Sequence, residues 1–146
     1  AFNGGDDIDE YLKQSRRVLK VVGEYMHRRL SDMGAVVQKP EGAFYLFPDF
    51  SAFSEKLARK DIKTSQAFCT ALLEDTGVAM LPASDFGFVP DHMGARLAFV
   101  DFDGNKALEL AAGEFADQEL GEDFVASASP KMVTAMDRME GWLKAL

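Results

Sequence analysis

The feature that most limits what this chain can become is one apolar stripe near its start. Leu12, Val18, Leu19, Val22, Met26, Leu30 and Met33 recur three and four residues apart. Lys13, Arg16, Arg17, Glu24 and Arg28 fill the other positions. That period gathers the apolar side chains on one side of an α-helix and the charges on the other. Asp7 followed by Glu10 reads as an aspartate variant of the capping box, each side chain meeting an orphan backbone N–H. Gly34 supplies a left-handed stop. The spacing predicts a helix of about seven turns. A helix with a single stripe is stable only against a partner surface, so the remaining residues must provide one.

Two short β-type runs follow. Ala35-Val36-Val37 and Ala43-Phe44-Tyr45-Leu46-Phe47 flank Lys39-Pro40-Glu41-Gly42, whose proline and glycine signal a turn. The second run is almost wholly apolar, as expected of a strand buried on both faces or with one face turned toward something else. Residues 52–63 are charged and weakly patterned, a loop with room for a short helix. Thr64 or Ser65 caps a second helix carrying Ala67, Phe68, Ala71 and Leu72 and closing near Gly77. Residues 78–81 read as a strand ended by Pro82, and Ala95-Arg96-Leu97-Ala98-Phe99-Val100 as another. Asp103-Gly104-Asn105 turns into an alanine-rich helix, and residues 121–127 read as a loop. Ser129 as cap and Pro130 at the first helical position open a last helix striped by Met132, Val133, Met136, Met139 and Leu143. The expected fold is α+β. A small, mostly antiparallel sheet of three to four short strands packs against the long first helix and the helices that follow.

Size and charge remove several function classes. The 146 residues suit one domain, spanning 1–146. With 16 Lys and Arg against 24 Asp and Glu, the net charge of −8 repels a phosphate backbone, so no nucleic-acid partner is expected. The longest apolar runs fall far short of the ~20 residues of a spanning helix, so no membrane partner is expected either. Cys69 is the only cysteine, which precludes an internal disulfide and suits a reducing, cytoplasmic setting. The first ten residues hold four acidic side chains and no basic one, unlike a secretory leader.

Among candidate site residues, Arg96 stands out as the only charge in its strand. A guanidinium is always ionised and costly to desolvate, so its surroundings must supply an anion or water. It is either an arginine on a solvated strand face or a planar fork that holds a ligand carboxylate through two parallel bonds. Other motifs are weaker. Asp101-Phe102-Asp103-Gly104-Asn105 resembles the start of a calcium loop, but Lys106 and Ala112 stand where the EF-hand needs Gly and Glu, and a helix-capping turn accounts for it. Asp85-Phe86-Gly87 spells a kinase triplet without any other kinase motif. His27 and His92 have no metal spacing with Cys69, and no metal ligands are expected. Cys69 reads as a small buried hydrophobe. No Ser/His/Asp arrangement appears, and no catalytic residue is assigned.

Taken together, four blocks in order resemble the C-terminal small domain of a fold type I, class I (aspartate aminotransferase-like) aminotransferase that uses pyridoxal 5′-phosphate. They are Lys39-Pro40-Glu41-Gly42-Ala43-Phe44-Tyr45-Leu46-Phe47-Pro48, Leu72-Leu73-Glu74-Asp75-Thr76-Gly77-Val78-Ala79, Leu81-Pro82-Ala83-Ser84-Asp85-Phe86-Gly87 and Ala95-Arg96-Leu97-Ala98-Phe99. The resemblance covers roughly residues 6–102, and the tail beyond Asp103 is longer than it leads one to expect. It implies that Arg96 clamps the substrate α-carboxylate and that Phe44, on the aromatic strand after the turn, approaches the substrate; Phe44 reads equally as core. It implies a parent that moves an amino group from an amino acid to a 2-oxo acid and acts as a homodimer. None of the nine lysines has the family's Schiff-base setting, so the cofactor is expected in the missing large domain and not on this chain, which is expected to be inactive alone. A start without Met and an abrupt helix agree with a piece of a longer enzyme. Two other readings stay open: a non-catalytic small-molecule-binding module, and a protein-interaction domain. All three expect an apolar or aromatic surface where a partner docks.

Overall fold

The structure, a computed structural model, describes residues 5–146; the opening residues 1–4 lie outside them. Helix α1 runs over Asp6–Asp32, the length its stripe predicts. Val18, Val22, Met26 and Leu30 are buried, whereas Leu12, the first member of the stripe, stays exposed beside Ile8 and Tyr11. The capping box does not form: Gly5 is the N-cap without a side-chain bond, and Glu10 instead accepts from Gln14, 2.6 Å away, one turn along the same helix. Gly34 takes a left-handed φ of 96° just past the helix, as the stop requires.

Three strands form one antiparallel sheet in the order β1-β3-β2, with β1 at Tyr45–Leu46, β2 at Leu81–Pro82 and β3 at Ala95–Ala98 in the centre. The expected strand at 35–37 shrinks to a single bridge, in which Val36 and Asp49 exchange bonds of 2.9 and 2.8 Å. Pro82 does not end β2 but belongs to it, paired with Ala95. An edge strand tolerates a residue without an N–H.

Around the sheet, α2 (Ser54–Arg59) follows a 3-10 turn at Ser51–Phe53, and α3 (Ser65–Thr76) is capped by Thr64, whose hydroxyl accepts from the Ala67 N–H at 3.1 Å. Helix α4 (Gly104–Ala112) begins at Asp103, whose carboxylate accepts from the N–H groups of Asn105 and Lys106. That places the Asp101-to-Asn105 motif at a helix cap. Residues 121–127 are not the expected loop. Gly121 is the N-cap and the rest belong to α5 (Glu122–Ala128), which buries Phe124, Val125 and Ala128. Helix α6 (Pro130–Lys144) buries Met132, Met136, Met139 and Leu143, with Val133 half-buried. Helix α1 lies against α4, α5, α6 and β1, and α3 lies against α6 and β2. One continuous core joins them, with Phe50, Phe68, Phe99 and Phe124 almost wholly enclosed.

Candidate functional site

Strand register decides which side chains share a face. Tyr45 pairs with Ala98, and Leu81 pairs with Arg96. Directly opposed residues point to the same side, and side chains alternate along each strand. Tyr45, Leu81, Arg96 and Ala98 therefore share one face, and Leu46, Pro82, Ala95 and Leu97 the other. All four of the second set are buried; of the first set, three are exposed and Arg96 is half-buried. The sheet has a closed face toward the helices and an open face, and the apolar look of residues 43–47 hides this alternation.

Arg96 stands on the open face, on the central strand. Its guanidinium carbon lies 4.5 Å from the centre of the Tyr45 ring and 4.9 Å from that of Phe86, both within cation–π range. It makes no ion pair and no side-chain hydrogen bond among the described residues. Of the other six guanidinium groups, the exposed Arg16 and Arg59 also lack a partner among the described residues, Arg28 meets Glu122 and Arg138 donates to the Thr76 carbonyl. Arg17 donates to the carbonyls of Ala111, Phe115 and Gln118, and Arg29 to Tyr25, Asp137 and Glu140. A charged fork held by ring faces, with its N–H edges unspent, can receive a planar anion through paired charge-assisted bonds.

The rings continue in both directions. Phe44 packs on Tyr45 with centroids 4.4 Å apart. On the other side Phe47 meets Phe86 edge-on at 5.6 Å and stacks on Phe88 at 5.3 Å, and Phe88 stacks on His92 at 4.7 Å. Phe44, Tyr45, Leu81, Phe86 and Phe88 are all exposed, a concentration of large apolar side chains that marks a contact or ligand surface. Phe44 is a surface residue and not core, packed on the Tyr45 ring that faces Arg96. It follows Ala43, whose left-handed φ of 59° bends the chain into β1. Behind that bend, Lys39 reaches Glu24 of α1 at 2.8 Å, and this bond holds the Glu24 carboxyl below the usual carboxylate range. The turn that delivers Phe44 and Tyr45 is thus anchored to the longest helix.

Sequence reasoning singled out Arg96 and Phe44 but not the two rings at the guanidinium. Tyr45 was recoverable from strand parity, since it lies one residue before the inward Leu46. Phe86 sits in the Asp85-Phe86-Gly87 triplet, which forms a 3-10 turn, Ala83–Phe86, closed by Gly87 at φ 85°. Gly94 matters by close approach: a Cβ there would sit 2.7 Å from the His92 Nε2 and 3.1 Å from the Phe47 Cε1.

The remaining candidates separate from this face. Cys69 is buried in α3, and burial pushes its thiol up to about 11, far from the range of a reactive thiolate. Among the described residues no three His, Cys, Asp or Glu side chains gather as a metal site, and no helix is long and apolar enough to cross a membrane.

The family model for aminotransferases of class I and II matches residues 1–119. The chain belongs to that family. It is 42% identical over 84 residues to a probable N-acetyl-LL-diaminopimelate aminotransferase of Bacillus subtilis, covering 58% of this chain and 18% of that protein. To the aspartate aminotransferase of Geobacillus stearothermophilus it is 43% identical over 100 residues, covering 68% of this chain and 23% of the other. The crystal structure of an aromatic aminotransferase from Pyrococcus horikoshii superposes on 97% of this chain and 28% of its own, with 25% identity and a TM-score of 0.65. The chain therefore spans no more than 28% of the length of these three relatives. The structural likeness takes in the tail beyond Asp103, so helices α4 to α6 continue the family's architecture.

The family implies pyridoxal phosphate. The lysines described here do not fit the imine-forming role: all nine are exposed, and Lys13, Lys39, Lys63, Lys131 and Lys144 face carboxylates.

Proposed function

We propose that this chain is the C-terminal small domain of a pyridoxal-phosphate-dependent aminotransferase, and that Arg96 binds the α-carboxylate of its substrate. The supporting observation is that Arg96 lies on the open sheet face, flanked by rings and without an ion pair among the described residues. Arg16 and Arg59 are unpartnered too, but they are exposed on helices, whereas Arg96 is half-buried on the central strand and held between two ring faces. The parent transfers an amino group from an amino acid to a 2-oxo acid. Its large domain, carrying the cofactor, and a homodimeric partner close the open face, and the enzyme works in the cytoplasm. This chain's own contribution is orientation. Gripping the carboxylate at two points fixes the rotation of the substrate about its Cα, so that the bond to be broken meets the cofactor in one geometry. Phe44, at the rim of the same face, shields the substrate from water.

The decisive experiment is Arg96→Ala in the full-length enzyme that carries this segment. Truncating one partner of a desolvated charge pair costs about 2–5 kcal/mol, a fall in kcat/KM of roughly 30- to several-thousand-fold. The KM for amino acids and for 2-oxo acids should both rise, because both carry the carboxylate. Kinetics equal to wild type would remove Arg96 from the site.

A further inference from the structure

The two rings at Arg96 explain how an arginine can stay ready without a partner. A long side chain on an exposed strand face ordinarily samples many rotamers and loses that freedom on binding. On a protein surface a carboxylate usually stops this motion, but a carboxylate would also occupy the N–H groups that the substrate needs. A ring face attracts the cation without accepting its in-plane N–H bonds. Tyr45 and Phe86 approach the guanidinium to 4.5 and 4.9 Å, and they come from different elements, β1 and the 3-10 turn after β2. Each ring is itself braced, Tyr45 by Phe44 and Phe86 by the edge of Phe47.

We propose that Tyr45 and Phe86 are positioning residues that hold the Arg96 fork in its carboxylate-binding orientation through their π faces, leaving its hydrogen-bonding edge free. This inference rests on the proposed role of Arg96, and it adds that the ring electrons, not merely the space the rings fill, are what matters. Removing either ring should leave the fork intact but loose. The substrate must then pay the ordering cost, so KM rises while the rate of the bound complex changes little.

The test uses the full-length enzyme and steady-state kinetics with an amino acid and with a 2-oxo acid. Phe86→Leu and Tyr45→Leu should each raise KM about two- to fivefold, with kcat within about twofold, matching roughly 0.5–1 kcal/mol for an exposed cation–π contact. Phe86→Tyr and Tyr45→Phe, which keep a ring, should recover most of that loss. A trifluorinated phenylalanine incorporated at position 86 keeps the shape but drains the π face, and it should raise KM like leucine does; this variant also decides the matter if a leucine variant fails to fold. If Arg96→Ala raises KM but the fluorinated ring does not, the rings only fill space and the inference falls while the role of Arg96 stands. If Arg96→Ala itself changes nothing, both fall together.

Discussion

Arg29 and Arg96 carry the same side chain into opposite surroundings, and the contrast divides the molecule. Arg29 lies between α1 and α6, donating 2.7 Å bonds to the Tyr25 hydroxyl and to Asp137 and a 3.1 Å bond to Glu140. Burial opposes its charge, but the Asp137 bond and Tyr25 outweigh it and hold the guanidinium above its usual range. On the helical side Arg17, Arg28, Arg29 and Arg138 find partners within the chain, and the cations left without one, such as Arg16 and Arg59, are exposed. On the open sheet face the only guanidinium rests on rings and its polar edge is unmatched. The side packed on the helices is finished within the chain, and the open face leaves its guanidinium without a charged partner among the described residues. The difference teaches that the two sides should fail differently: substitutions on the first should cost stability, and those on the second, activity.

The largest effect expected on the finished side is Phe124→Ala in α5. Phe124 is fully enclosed and meets the Phe115 ring edge-on at 5.4 Å. Its truncation should destabilise the chain by about 3–5 kcal/mol in urea unfolding. A loss below about 1 kcal/mol would mean that α5 is not part of the core and that the division is drawn in the wrong place.

Gly94→Ala tests the seam between the two sides, with a middling effect. The added methyl would collide with the His92 ring and press on Phe47, the ring that braces Phe86. Overpacking of this kind costs about 1–3 kcal/mol. Because the displaced groups lead to Arg96, KM in the full-length enzyme should rise as well. Stability lost with KM unmoved would disconnect the far end of the aromatic row from the site.

Much of the finished side was legible in the sequence. The stripe of α1, the Thr64 and Asp103 caps, and the methionine stripe of α6 are local signals that packing had no reason to override. Helix α5 was not legible, because seven residues between Gly121 and Ser129 are too few to display a period; Glu122 and Asp123 in its first turn were the available hint. On the open side, Arg96 was conspicuous as a lone charge, and the resemblance to aminotransferases supplied the role proposed for it. Its ring companions were hidden for a physical reason. Tyr45 is far from Arg96 in sequence and Phe86 lies across the loop between β2 and β3, and strand register and a 3-10 turn bring them together. The same register turns an apparently uniform apolar strand into one with an inward Leu46 and an outward Tyr45.

The smallest effect returns to the two arginines. Arg29→Ala should cost only about 1 kcal/mol of stability, since Asp137 is well exposed and water screens the pair. Arg96→Ala gives up two cation–π contacts but removes the cost of ordering a long side chain, and should change stability by less than about 0.5 kcal/mol. The pH dependence separates them further. The Glu140 carboxyl is held below its ordinary value of 4.5, first by Lys144 and then by Arg29. A carboxyl depressed in the folded state stabilises above its unfolded value, and that contribution is lost as pH falls through the folded one. The gap between wild type and Arg29→Ala should therefore be full near neutrality and narrow below pH 4.5, whereas Arg96→Ala should track wild type throughout. Equal stability losses for the two arginines across that range would mean that Arg96 is a structural charge with a hidden partner, and the open face would lose its claim to be waiting for a substrate.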